Sequence, residues 1–148
     1  MYCAYFGGDV AMTNGAVPRF WREIPQRYNL IGTKCTLCNR IFFPQREFCP
    51  FCRRKSIDKM TQLQLKGKGT VVAYSIIYVA PEHFEGQAPY PIAIIELDEG
   101  PRLTAQIVDC NIDDVKIGMK VQSTFRKIQE DGYTGAIYYG YKFKKCRE

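Results

Sequence analysis

Seven cysteines occur in the 148-residue chain, and four of them fall into Cys35-Thr36-Leu37-Cys38, ten intervening residues, and Cys49-Pro50-Phe51-Cys52. Two Cys-x-x-Cys pairs this close let four thiolates converge on one tetrahedral ion at roughly 2.3 Å, the arrangement that structural zinc favours. A disulfide framework or a redox pair is the competing use of the same residues. Zinc is preferred because the stretch Met1 to Gly15 has no basic start followed by a continuous apolar run, so no secretory signal is read there. Four protein ligands leave no position open to water or substrate, and such an ion is a staple rather than a catalyst. The residue after each pair is expected at positive φ, which Asn39 tolerates and Arg53 adopts at a cost. Pro50 fits a tight turn, and Phe42, Phe43, Phe48 and Phe51 are expected to form a small apolar shell around the sulfurs.

Catalytic groups are scarce. His83 is the sole histidine, so any Cys–His or Ser–His nucleophile must use it, and its setting between Glu82 and Phe84 is that of a solvated loop residue. Asp98-Glu99 and Asp113-Asp114 are adjacent carboxylates in turns, where capping and solubility are their commoner roles. Gly67-Lys68-Gly69 lacks the downstream pattern of a phosphate-cradling loop and reads as the start of a strand. The expectation is a protein without catalytic residues of its own.

The elements that position these residues follow from pattern. Val17 to Ile24 reads as a helix with Pro18 in its first turn and Phe20, Trp21 and Ile24 close together, and Pro25 should end or kink it. So short a helix must dock its aromatics on the body or on another chain. Tyr28, Leu30 and Ile31 suggest a short strand and Gly32 a turn. From about Lys66 the period becomes two, with Gly69–Ala80, Tyr90–Glu96, Arg102–Asp109, Lys120–Ile128 and Tyr133–Lys145 as strands. A long loop from Pro81 to Pro89, a tight turn at Asp98 to Pro101 and a hairpin turn at Asp131-Gly132 punctuate them. Asn111 to Gly118 reads as one helical turn with an asparagine cap. The predicted fold is mainly β: residues 1–16 a poorly ordered leader, 17–33 an N-terminal helical segment, 34–60 a zinc ribbon, and 61–148 a five-stranded OB barrel, which closes its sheet.

The composition is that of a globular protein, with no apolar run long enough to span a bilayer. We therefore expect a cytoplasmic protein whose remaining cysteines, Cys3, Cys110 and Cys146, are free thiols. The net charge of +6 is unevenly placed: Arg19 to Lys68 holds twelve Lys/Arg against three acids, whereas Gly69 onward holds nine against eleven. Such a front half suits nucleic acid, an acidic partner or a phosphate-bearing cofactor. Arg40, Arg46, Arg53, Arg54 and Lys55 beside Phe42, Phe43 and Phe51 make single-stranded nucleic-acid binding the alternative function, although the barrel half is net acidic.

The order of several motifs is more specific than any one. Phe20-Trp21, the paired cysteines, Pro44-Gln45-Arg46, Gly67 to Val71, Ala88-Pro89-Tyr90, Glu96 to Arg102 and Val115 to Met119 together resemble the zinc-ribbon OB-fold acyl-CoA-associated family, over nearly all of Pro18 to Lys145. Gln45, Asn39, Arg53 and Pro25 depart from its pattern. The resemblance implies a helix, a rubredoxin-like zinc ribbon and an OB domain acting as a non-catalytic partner of a thiolase-superfamily or other acyl-CoA-processing enzyme. CoA calls for cations beside an aromatic groove, which makes Arg46 and Arg102 candidate phosphate contacts and Phe84, Tyr90 and Pro91 candidate groove residues. Phe20 and Trp21 are the candidate partner contact.

Overall fold

A computed structural model describes residues 17–130 and 135–146; the leader with Cys3, the Asp131-Gly132 turn and the expected strand start at Tyr133 lie outside them. Helix α1 (Val17–Asn29) carries Phe20, Ile24 and Tyr28 one turn apart on a half-buried face, while Trp21, Arg22 and Pro25 face solvent. Phe20 meets Tyr138 edge-on at 4.6 Å between ring centroids, and Tyr28 meets Phe125 at 4.8 Å. Of the two outcomes expected at Pro25, a stop does not occur, and the residue lies inside the helix. It lacks the N–H that would bond to the Trp21 carbonyl one turn back, but both residues are on the solvent side, where water can replace the lost bond. The docked aromatic face holds the last turn, so Tyr28 is helical rather than the start of a strand. Leu30, at φ 50, then breaks the helix.

Three strands make the ribbon sheet in the order β2-β1-β3: β1 (Ile31–Cys35), β2 (Ile41–Phe42) and β3 (Met60–Gln64). Gly32 lies inside β1 rather than in a turn. It is glycine because a Cβ there would stand 2.6 Å from the Phe42 carbonyl oxygen. β3 pairs with β1 along its whole length, so residues 60–64 complete the ribbon's sheet at the boundary drawn from the sequence. Strand β3, Met-Thr-Gln-Leu-Gln, has little β-branched content to reveal it.

The second unit is a closed barrel, β4-β5-β6-β8-β7, built from β4 (Lys68–Ile77), β5 (Tyr90–Leu97), β6 (Arg102–Val108), β7 (Lys120–Glu130) and β8 (Ile137–Lys145). All neighbours are antiparallel except β6 and β8, whose parallel contact pairs Ile107 with Phe143. This is the OB-fold topology. Alternation sends Ala93, Ile95 and Leu97 of β5 and Leu103, Ala105 and Ile107 of β6 inward, where they meet Val71, Val121 and Phe143. Each large side chain buried this way contributes about 1.5–3 kcal/mol. Leu30 and Leu65, joined by a 3.0 Å backbone hydrogen bond, belong to the same core, and Ile41, Phe43 and Leu63 of the ribbon pack against it. The ribbon and barrel therefore share one apolar centre.

Two barrel details differ from expectation. β4 ends at Ile77, and Tyr78 and Val79 beyond it are exposed. The stretch after β6 is a single 3-10 turn, Ile112–Asp114; Asn111 is extended and makes no side-chain cap, and Gly118 at φ +85 closes the segment by donating its N–H to the Val71 carbonyl at 2.8 Å.

Candidate functional site

The four knuckle sulfurs lie within 4.8 Å of one another, with Cys38 and Cys49 at 3.6 Å and Cys35 and Cys52 at 4.0 Å. A tetrahedral Zn–S distance of about 2.3 Å places sulfurs about 3.8 Å apart, so the residues fit a four-thiolate zinc ion. Both knuckles are built alike. Asn39 donates its N–H to the Cys35 carbonyl at 2.8 Å and Arg53 to the Cys49 carbonyl at 2.9 Å, and both residues have the positive φ expected of them. Ser56, which sequence reasoning passed over, is fully buried beneath the second knuckle. Its hydroxyl donates to the Arg53 carbonyl at 2.6 Å and accepts the Cys49 N–H at 2.8 Å. Burial pushes the Cys49 thiol up, but the N–H groups of Cys52 and Phe51 and the neighbouring thiols outweigh it and bring it down to about 7. Burial and the other three thiols instead hold Cys52 up at about 12.

The expected phenylalanine shell does not close. Phe48 and Phe51 are 59% and 64% exposed, and Phe43 turns away to meet Tyr141 at 5.5 Å. The Arg40 guanidinium covers the Phe51 ring at 3.6 Å, a cation–π contact that replaces apolar packing.

A second site lies where α1, the ribbon and the barrel meet. Here a cavity of about 700 Å³ opens between α1, the loop after β2 and the outer face of β5, β6 and β8. Aromatic walls come from Phe43, Phe84, Tyr90, Tyr139 and Tyr141. Amides come from Gln26, which donates to Gln45 at 3.2 Å, and from Gln106, which donates to Gln87 at 3.3 Å. Two cations line it. Arg27 is paired with Glu23. Lys142 is 5% exposed and donates to the Gln87 amide oxygen at 3.2 Å; burial, then the Arg126 charge, holds its ammonium below the usual lysine range.

Of the residues singled out from sequence, Phe84 and Tyr90 line this cavity, with ring centroids 6.0 Å apart. Pro91 does not, because alternation along β5 turns it into the barrel. Arg46 is exposed, 5.9 Å above the Phe42 ring, and Arg102 is exposed and paired with Glu96 at 3.0 Å; neither lines the cavity. Phe20 is docked on the barrel, while Trp21 stands 67% exposed. The His83 side chain lies outside the described residues. Sequence reasoning missed Arg27 and Lys142, more than a hundred positions apart. The sequence shows Lys142 only as one of three lysines in β8, on the opposite face from the core residue Phe143.

Comparison with known proteins defines the class. Residues 22–58 match the family described as ChsH2, rubredoxin-like zinc ribbon domain, and residues 62–126 match ChsH2, C-terminal OB-fold domain. A DUF35 domain-containing scaffold protein of Methanocaldococcus jannaschii is 57% identical over 128 residues, 86% of this chain and 89% of that protein. The chain belongs to this DUF35 family of scaffold proteins, with a four-cysteine ribbon carrying one structural zinc followed by an OB fold. A probable enoyl-CoA hydratase alpha subunit of Thermomonospora curvata is 31% identical over 102 residues, 69% of this chain and 31% of that protein. Among solved structures, the Ltp2-ChsH2(DUF35) aldolase shares the fold, with a TM-score of 0.66 at 24% identity over 91% of this chain and 97% of that one.

Proposed function

We propose that this chain is a non-catalytic accessory subunit that holds or channels CoA thioesters for a thiolase-superfamily or other acyl-CoA-processing enzyme in the cytoplasm. The observation that carries the reading is the cavity between α1, the ribbon and the barrel. Its volume of about 700 Å³ lies within the roughly 300–1,000 Å³ common for small-molecule sites, and it combines aromatic walls with a few polar groups. The similar proteins agree in kind: one is named a scaffold protein, one a hydratase subunit and one part of an aldolase. No helix among the described residues is long and apolar enough to cross a membrane. Arg46 and Arg102, outside the cavity, are proposed to meet the nucleotide phosphates, and Trp21 to meet the partner.

The nucleic-acid alternative loses support at Phe51, one of its proposed stacking residues. Arg40 already covers that ring at 3.6 Å, leaving less face for a base. Calorimetry of the zinc-loaded chain with acetyl-CoA and acetoacetyl-CoA, set beside fluorescence anisotropy with single-stranded oligonucleotides across a salt series, separates the two. Saturable thioester binding with weak oligonucleotide binding is expected. Tight, steeply salt-dependent oligonucleotide binding without thioester binding would reverse the assignment.

A further inference from the structure

Lys142 is the most deeply buried cation among the described residues, and its surroundings leave it undersupplied. An ammonium has three donors, yet among the described residues only the Gln87 amide oxygen at 3.2 Å accepts from it. No carboxylate among the described residues forms an ion pair with it, and the nearby charge that acts on it, Arg126, is of the same sign. A buried charge left in this state is costly unless something else supplies acceptors. Lys142 lines the cavity, so that acceptor can be a ligand oxygen arriving through it.

The other polar groups of the cavity are of a different kind. Gln26, Gln45 and Gln106 are neutral amides that both donate and accept, matched to a chain that itself contains amides. Arg27 is already neutralised by Glu23 at 2.6 Å, and Arg46 and Arg102 lie outside. A nucleotide bisphosphate would bring several negative charges to a space with one unpaired cation. An amide-containing arm ending in one oxygen-bearing group matches it.

Resting on the thioester reading above, we infer that the cavity takes the pantetheine arm and acyl end of the ligand rather than its nucleotide, and that Lys142 donates a hydrogen bond to an oxygen on the acyl chain. The preferred class is therefore keto- or carboxy-acyl thioesters over plain alkyl ones. The Gln87 amide oxygen accepts from both the Lys142 ammonium and Gln106, so the two polar walls are tied together.

The test uses the full zinc-loaded chain with S-acetoacetyl-pantetheine, S-butyryl-pantetheine and adenosine 3′,5′-bisphosphate as separate calorimetric titrants. The four-carbon thioesters differ in the oxygen that Lys142 is to meet. A charged hydrogen bond is worth enough that the acetoacetyl compound should bind about tenfold or more tightly than the butyryl compound, and Lys142→Met should remove that preference. Melting curves and zinc content check that the variant is folded. In the unmodified protein, the NMR signals of the Lys142 side chain should shift on adding the acetoacetyl compound, which needs no variant. Equal binding of the two thioesters, no Lys142 shift, or tighter binding of the bisphosphate than of either thioester would overturn the inference. If pantetheine thioesters do not bind but an acyl-CoA enzyme is still recovered with the chain, this inference falls and the accessory role stands; if neither is seen, both fall.

Discussion

Cys49 is one of the two fully buried cysteines of the ribbon. Its N–H is held by Ser56, and its thiol is the one brought down to about 7. Replacing it with serine removes a thiolate ligand from a unit too small to bury much surface, so Cys49→Ser should lose zinc and unfold the ribbon sheet while the barrel keeps its β-structure. Zinc analysis with hydrogen exchange would check this; retained zinc and full protection of β1 would contradict it. Lys142 makes a second prediction, this time in pH. Its pKa is depressed in the folded chain, so between that value and 10.5 the unfolded chain binds more protons, and the contribution to stability is full above 10.5 and lost as pH falls through the folded value. Tyr141 acts in the opposite sense, because burial raises it and its contribution is lost as pH climbs past 10 through its own folded value. The difference between wild type and Lys142→Met largely cancels the tyrosine. Urea midpoints from pH 7 to 10.5 should show wild type gaining on the variant as pH rises.

At the scale of elements, the β1–β2 crossing and helix α1 are the sensitive places. At Gly32 a methyl would meet backbone oxygen at 2.6 Å, whereas at Gly86 it would meet nothing within 4 Å. Gly32→Ala should therefore cost about 1–3 kcal/mol in chemical denaturation, and Gly86→Ala should lie within about 0.5 kcal/mol of wild type. On α1 the two neighbouring aromatics should separate. Phe20→Ala loses the edge contact with Tyr138 and should lower stability by about 1–3 kcal/mol, while Trp21→Ala should change stability little and weaken partner recovery. The elements legible in sequence were those whose signal is local: cysteine spacing, alternation in β5 and β6, the turn at Asp98 to Pro101. The length of α1 was not, because Pro25 argues against its last turn and only docking of Phe20 and Tyr28 argues for it. The exposure of Phe48 and Phe51 was hidden for a similar reason, since a cation rather than a core covers Phe51.

The whole molecule is a ribbon and a barrel joined through Leu30, Leu65 and the residues around them, with helix α1 laid across β8. The cavity exists only because all three parts meet. Its wall draws on residues from Glu23 to Lys142, a convergence that no short window of sequence displays. That explains why two of the five aromatic walls, Phe84 and Tyr90, could be singled out by reading the loop, while the two cations could not. The same geometry would give the proposed accessory role a physical form: a pocket for the proposed ligand in a chain whose candidate partner contact, Trp21, stands exposed on the helix beside it. Affinity purification of the tagged, zinc-loaded chain from its native source, followed by mass spectrometry of what is retained, tests that role most directly. The account predicts recovery of a thiolase-like or other acyl-CoA-processing enzyme, reduced by Trp21→Ala; a retained set containing no acyl-CoA enzyme would contradict it.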